Sequence, residues 1–103
     1  MKNIKNTKKN LNTIDALTTW FITNLKLDAN NILKIKKGAR EILKCTADHK
    51  PEDRDFDNFA TDMCYVGANW LNYTDDDMIK DGEDTWRKLY NSYMTCFFNE
   101  IEM

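Results

Sequence analysis

His49 is the one histidine of the chain, and it follows Asp48 directly and Cys45 by four residues. A thiol, an imidazole and a carboxylate could in principle form a metal site or an activated nucleophile. A structural zinc needs about four ligands at tight spacing, and only Cys45 and His49 stand close enough here. Nucleophilic catalysis needs a base aimed at the thiol, which a loop position does not supply. The expectation for His49 is an ordinary surface side chain.

The second chemical candidate is TDDDMIKDGED, residues 74–84. An EF-hand wants acids at loop positions one, three and five, Gly at six and Glu at twelve. Setting Gly82 at position six places Asp77 at one, Ile79 at three, Asp81 at five and Lys88 at twelve, so two ligands fail. Paired carboxylates can also do acid–base work, but only where a cleft separates their pKa values. Neighbouring aspartates in a polar run are expected to be ionised and solvated. Gly38, Gly67 and Gly82 stand alone and form no phosphate loop. No catalytic constellation, metal site or cofactor motif emerges, and the expectation is a non-enzymatic protein.

Charge is more informative. Residues 1–50 carry 11 Lys/Arg against 4 Asp/Glu, whereas residues 51–103 carry 4 against 13. The formal net charge of -2 hides this division. Either the halves neutralise each other across the fold, or one of them faces a partner of opposite sign. Nine of the later carboxylates fall in three groups: Glu52, Asp53 and Asp55; Asp75, Asp76 and Asp77; Asp81, Glu83 and Asp84. Helix dipoles can use one or two acids per N-terminus, each worth a few tenths of a kcal/mol. Three adjacent aspartates exceed that need and repel one another. The basic side, Lys34, Lys36, Lys37, Arg40 and Lys44, could grip phosphates, although the acidic sequence pI of about 5.3 argues for a solvated helix face instead.

The elements that position these charges read as helices. Three Gly and one Pro in 103 residues suit long helices and short connections. The expected class is all-α, a small four-helix bundle-like single domain over residues 12–103, preceded by a mobile basic arm over residues 1–11. Thr13 is the expected N-cap of a first helix to Leu27, with Ile14, Leu17, Phe21 and Leu25 as its stripe. The second runs from Ala29 to Ala47, weakened by Gly38. The third, taken as the central helix, is led by Pro51 and continues to Tyr73 on Phe56, Phe59, Met63, Val66 and Trp70. Thr74 and Asp77 form a capping-box pattern for a short turn over Asp75 to Lys80, ended by Gly82. The fourth opens at Asp84 or Thr85 and carries Trp86, Leu89, Tyr90, Tyr93, Met94, Phe97, Phe98 and Ile101. That apolar face is broader than one neighbour requires, which offers a homodimer surface.

Cys45, Cys64 and Cys96 are odd in number and widely spaced, as expected of reduced thiols in a cytoplasm. The basic start is followed by an interrupted apolar stretch, unlike a secretory signal, and no run reaches the length of a membrane span. The functional expectation is an acidic face of Asp75, Asp76, Asp77, Asp81, Glu83 and Asp84, with Tyr73 and Trp86 as anchors, engaging a basic protein surface. Tyr65, Trp70 and Tyr90 are further aromatics near it. In kind, though by no motif, this is similar to toxin immunity proteins and to phage-encoded anti-CRISPR proteins, which implies inhibition of a nucleic-acid enzyme in a bacterial cytoplasm. The Asn- and Lys-rich composition fits an AT-rich phage or bacterial genome. The alternatives are a nucleic-acid-binding regulator using the basic half and a homo-oligomeric structural protein. Lys34, Lys37 or Arg40 folded onto the aspartates would remove the basis for a basic partner.

Overall fold

Apolar side chains at helical spacing bury one stripe of each long helix, and the stripes meet in a single core of 20 hydrophobic residues among those described. The computed structural model describes residues 4–103, and among these there is no strand. The five α-helices are α1 (Lys8–Leu25), α2 (Ile32–Asp48), α3 (Phe56–Val66), α4 (Asp75–Asp81) and α5 (Glu83–Cys96). The all-α, bundle-like expectation holds, with the anticipated short turn after Thr74 counting as a helix of its own. α1 packs on α2, α2 on α3, and α5 on both α3 and α4. α2 therefore shares the central position expected of the third helix.

α1 starts earlier than the sequence suggested. Thr7 is its N-cap and accepts the Asn10 N–H at 3.1 Å, whereas Thr13 lies inside the helix and bonds back to the Lys9 carbonyl. The mobile arm is corrected for residues 4–11; residues 1–3 lie outside the described residues. Ile4 is buried, its carbonyl accepts from Arg40 at 3.3 Å, and Asn10 is fully buried. The Asn10 amide donates to the carbonyls of Lys5 and Glu102, and its Oδ1 accepts the Glu102 N–H at 2.7 Å. One side chain thus ties the start of α1 to the C-terminal tail.

The loop before α3 is also arranged differently. Pro51–Asp53 forms a separate 3-10 turn, and α3 is capped by Asp55, which accepts the Asn58 N–H at 2.9 Å. Arg54 turns back to donate to the carbonyls of Thr46 and Ala47 in the last turn of α2. Its guanidinium lies 5.0 Å from the centre of the Phe98 ring.

α3 does not continue as a regular helix to Tyr73. It gives way to a π-helical turn over Gly67–Leu71, closed by Asn72 in the left-handed conformation. The N–H groups of Asn72 and Tyr73 both reach the Gly67 carbonyl. A Cβ on Gly67 would lie 2.3 Å from the Tyr73 carbonyl oxygen. A Cβ on Gly38, in the middle of α2, would lie 2.8 Å from Leu71 Cδ2 and 2.9 Å from Trp70 Cβ. The glycine that looks like a weak point in α2 is the place where another segment touches it.

Two outcomes follow for stability, both read from urea unfolding followed by circular dichroism. Helix propensity favours Ala over Gly by about 1 kcal/mol, yet Gly38→Ala and Gly67→Ala will each lower stability, because overpacking costs about 1–3 kcal/mol. Gly67→Ala will be the worse of the two, since its clash is with backbone. Asn10→Ala will cost about 2–3 kcal/mol, because it leaves the groups at Lys5 and Glu102 without their buried partner.

Candidate protein-interaction face

Thr74 and Asp77 form the capping box expected of them. Asp77 Oδ2 accepts the Thr74 N–H at 2.8 Å, and Thr74 Oγ1 accepts the Asp77 N–H at 3.4 Å. Asp77 is therefore committed to holding α4 together. Asp81 is committed too, since its carboxylate accepts the Tyr73 hydroxyl, and the Trp86 indole N–H donates to the same hydroxyl at 3.2 Å. Tyr73 and Trp86 are 6% and 1% exposed. The expected anchors are corrected to core residues: the turn over Gly67–Leu71 reverses the chain and delivers Tyr73 inward, against Trp86 on α5.

The remaining acids are nearer to solvent. The Cys64 thiol, 4.0 Å from the Met78 sulfur, shares a depression with Asp75, which adds to burial in raising its pKa, and Glu83 pairs with Arg87 at 3.3 Å on an exposed stretch of α5. Asp76 and Asp84 are exposed and have no hydrogen bond or ion pair among the described residues. α4 separates these carboxylates into two settings. On one side is a cleft of about 410 Å³ floored by Leu25, Leu27, Ile35 and Leu71, with Asp28, Asp77, Lys80 and Asp81 among its lining. On the other is an apolar groove of about 220 Å³ between α3 and α4, lined by residues that include Ala60, Met78, Ile79 and Glu83. A shallower depression with Cys64, Ala68, Asp75 and Asp76 lies further along α3. The six acids do not form a single face.

Cations of the basic half are engaged elsewhere. Lys36 pairs with Asp15 at 2.8 Å, Lys9 with Glu100 at 3.7 Å, and Arg40 is bonded to the Ile4 carbonyl. Among the described residues no ion pair joins Lys34, Lys37 or Arg40 to the aspartates of α4. The broad face of α5 is largely consumed within the fold. Trp86, Tyr93, Phe97, Phe98 and Ile101 are buried, while Leu89, Tyr90 and Met94 pack half-buried against the core. Among the described residues the large hydrophobic side chains left exposed are Ile32, Leu33, Tyr65, Ile79 and Met103, none of them on α5. Of the other aromatics, exposed Tyr65 stacks edge-on with Trp70, and the Tyr90 hydroxyl donates to the Arg54 carbonyl at 2.6 Å.

His49 is half-buried rather than free, with Nε2 2.9 Å from Asp62 Oδ2. Burial, followed by the charges of Asp62, Glu41 and Asp48, pushes the Cys45 thiol up to about 11, so it stays protonated at neutral pH. Among the described residues no group of three or more His, Cys, Asp and Glu side chains is placed to hold a metal ion, and no helix is long and apolar enough to cross a membrane. Ile79 is the residue that sequence reasoning missed. Its signal was a large apolar side chain, next to Met78, in the most acidic stretch, three and four residues after Asp76 and Asp75. Comparison of the chain with protein-family models, with curated proteins and with solved structures gives no match in any of the three.

The phenols give a pH signature. Burial raises the pKa of Tyr73, Tyr90 and Tyr93 above the ordinary value of 10.0; the bond to Asp81 adds to this at Tyr73, and the charge of Asp55 at Tyr90. The unfolded chain loses these protons near pH 10, whereas the folded chain holds them. Stability is therefore fully present below that pH and falls as pH rises above it. Urea midpoints measured from neutral to strongly alkaline pH will show this decline, and Tyr73→Phe will make it shallower.

Proposed function

We propose that this chain is a small, non-enzymatic protein-binding inhibitor that lays carboxylates on a basic surface of another protein. The surface in question is the nucleic-acid-binding groove of an enzyme such as a nuclease, where the carboxylates occupy phosphate sites and block access. In kind this is similar to toxin immunity proteins and anti-CRISPR proteins, and on this reading the chain acts in a bacterial cytoplasm. The supporting observation is that Asp75 and Asp76 at the start of α4 and Asp84 at the start of α5 are exposed with no ion-pair partner among the described residues. Self-repelling charge costs stability wherever it is not used, and a cationic partner is its natural use.

Asp75→Lys with Asp76→Lys tests the reading, because it leaves the Asp77 cap and the Asp81–Tyr73 bond intact. The wild-type protein, immobilised, will retain a basic nuclease from a host lysate, release it as salt rises, and inhibit its cleavage of duplex DNA. The double variant will keep its helical circular dichroism and lose inhibition by more than about tenfold. Undiminished inhibition by the variant, or retardation of duplex DNA by the wild-type chain alone, would refute the reading.

A further inference from the structure

Ile79 stands at the lip of the groove between α3 and α4, and 76% of it is exposed to solvent. Nothing in the fold covers it. The groove walls are Phe56 and Ala60 of α3, Met78 of α4 and Trp86 of α5, so the concavity is apolar apart from Glu83. Gly82, also in the lining, has φ +92, a backbone conformation that favours glycine, and a Cβ there would meet no atom within 4 Å. Arg87 lies over the Phe56 ring at 4.4 Å and pairs with Glu83. Asp75 and Asp76 lie one turn before Ile79 on α4, in the depression further along α3, so the surface on that side of Ile79 is negative.

We infer that this groove receives one aliphatic side chain from a basic segment of the partner protein, with flanking Lys or Arg reaching Asp75 and Asp76. The inference rests on the acidic-surface reading above and adds the apolar contact that would give it specificity. A volume of about 220 Å³ holds one such side chain. Charge complementarity selects the occupant. Nucleic acid would bring phosphate against carboxylate, and a second copy docked through the same face would set Asp75 and Asp76 against their own equivalents. Arg87, over the Phe56 ring, repels a cation there, which orients the segment with its charges toward the start of α4.

The full chain, labelled for NMR, will be titrated at low salt with two synthetic probes, the peptides Lys-Lys-Leu-Lys-Lys and Lys-Lys-Ser-Lys-Lys. The leucine peptide is expected to shift the Ile79 and Met78 methyls, the Gly82 amide and the Trp86 indole saturably, and to bind about tenfold tighter than the serine peptide. Ile79→Ser will remove that difference without moving the urea midpoint, because the side chain is exposed. Asp75→Asn with Asp76→Asn will weaken both peptides alike. Equal affinity of the two peptides, with shifts confined to residues around Asp75 and Asp76, would overturn the groove proposal and leave the acidic surface standing. Leucine-selective binding at Ile79 that neither salt nor the Asn variants weaken would support the groove and remove the acidic surface. Absence of binding by either peptide would overturn the groove proposal.

Discussion

Two glycines set how closely α2 can lie against the turn that ends α3. Without a Cβ at Gly38, Trp70 and Leu71 settle directly on the α2 backbone; without one at Gly67, the chain can double back until the Tyr73 carbonyl sits over it. Everything downstream depends on that reversal. It sends Tyr73 into the core, where the ring meets Trp86 and the hydroxyl links Trp86 to Asp81. That link anchors the last turn of α4 while the Thr74–Asp77 box anchors its first. A seven-residue helix of mostly polar side chains has little intrinsic stability, so these two attachments hold it in place.

The same economy governs the buried polar groups. Asn10 and Thr46 sit deep in the protein, and each hydrogen-bonds to distant parts of the chain, Asn10 to the C-terminal tail and Thr46 to the Tyr93 hydroxyl. No buried side-chain nitrogen or oxygen among the described residues lacks a partner. Polar contacts of this kind specify which helices meet, since an unpaired buried group costs more than an apolar mispairing. They also explain why the N-terminal segment is folded: its carbonyls and its Asn10 are part of the seam with Arg40 and Glu102.

For the acidic stretch, the consequence is a division of labour. Asp77 and Asp81 maintain the helix they sit on, and Asp75 shares a depression with Cys64. Asp76 and Asp84 serve no contact within the described fold, and beside them Ile79 is an apolar side chain left in water. Local stability explains the first group, and helix-dipole effects of a few tenths of a kcal/mol are too small to explain the density of the second. Charge and exposed apolar area side by side is the composition of a protein-docking surface, with an apolar centre and a polar rim.

Much of this was legible from local pattern. The stripes of α2 and α5, the Thr74–Asp77 box, the break at Gly82 and the charge division between the halves each depend on residues within a turn or two of one another. The start of α1 was not legible, because Lys8, Lys9 and Asn10 look like solvated polar residues until Glu102, 92 positions after Asn10, supplies the partner that buries it. Tyr73 and Trp86 were mistaken for surface anchors for a similar reason: an aromatic at the end of an amphipathic run can point either way. The sequence by itself determined the helical class and the excess of negative charge around α4, since both arise from short-range periodicity and composition. Only the tertiary structure decided which carboxylates are spent internally, which face solvent, and that Ile79 lies beside them, because those outcomes turn on contacts between segments whose approach is governed by packing.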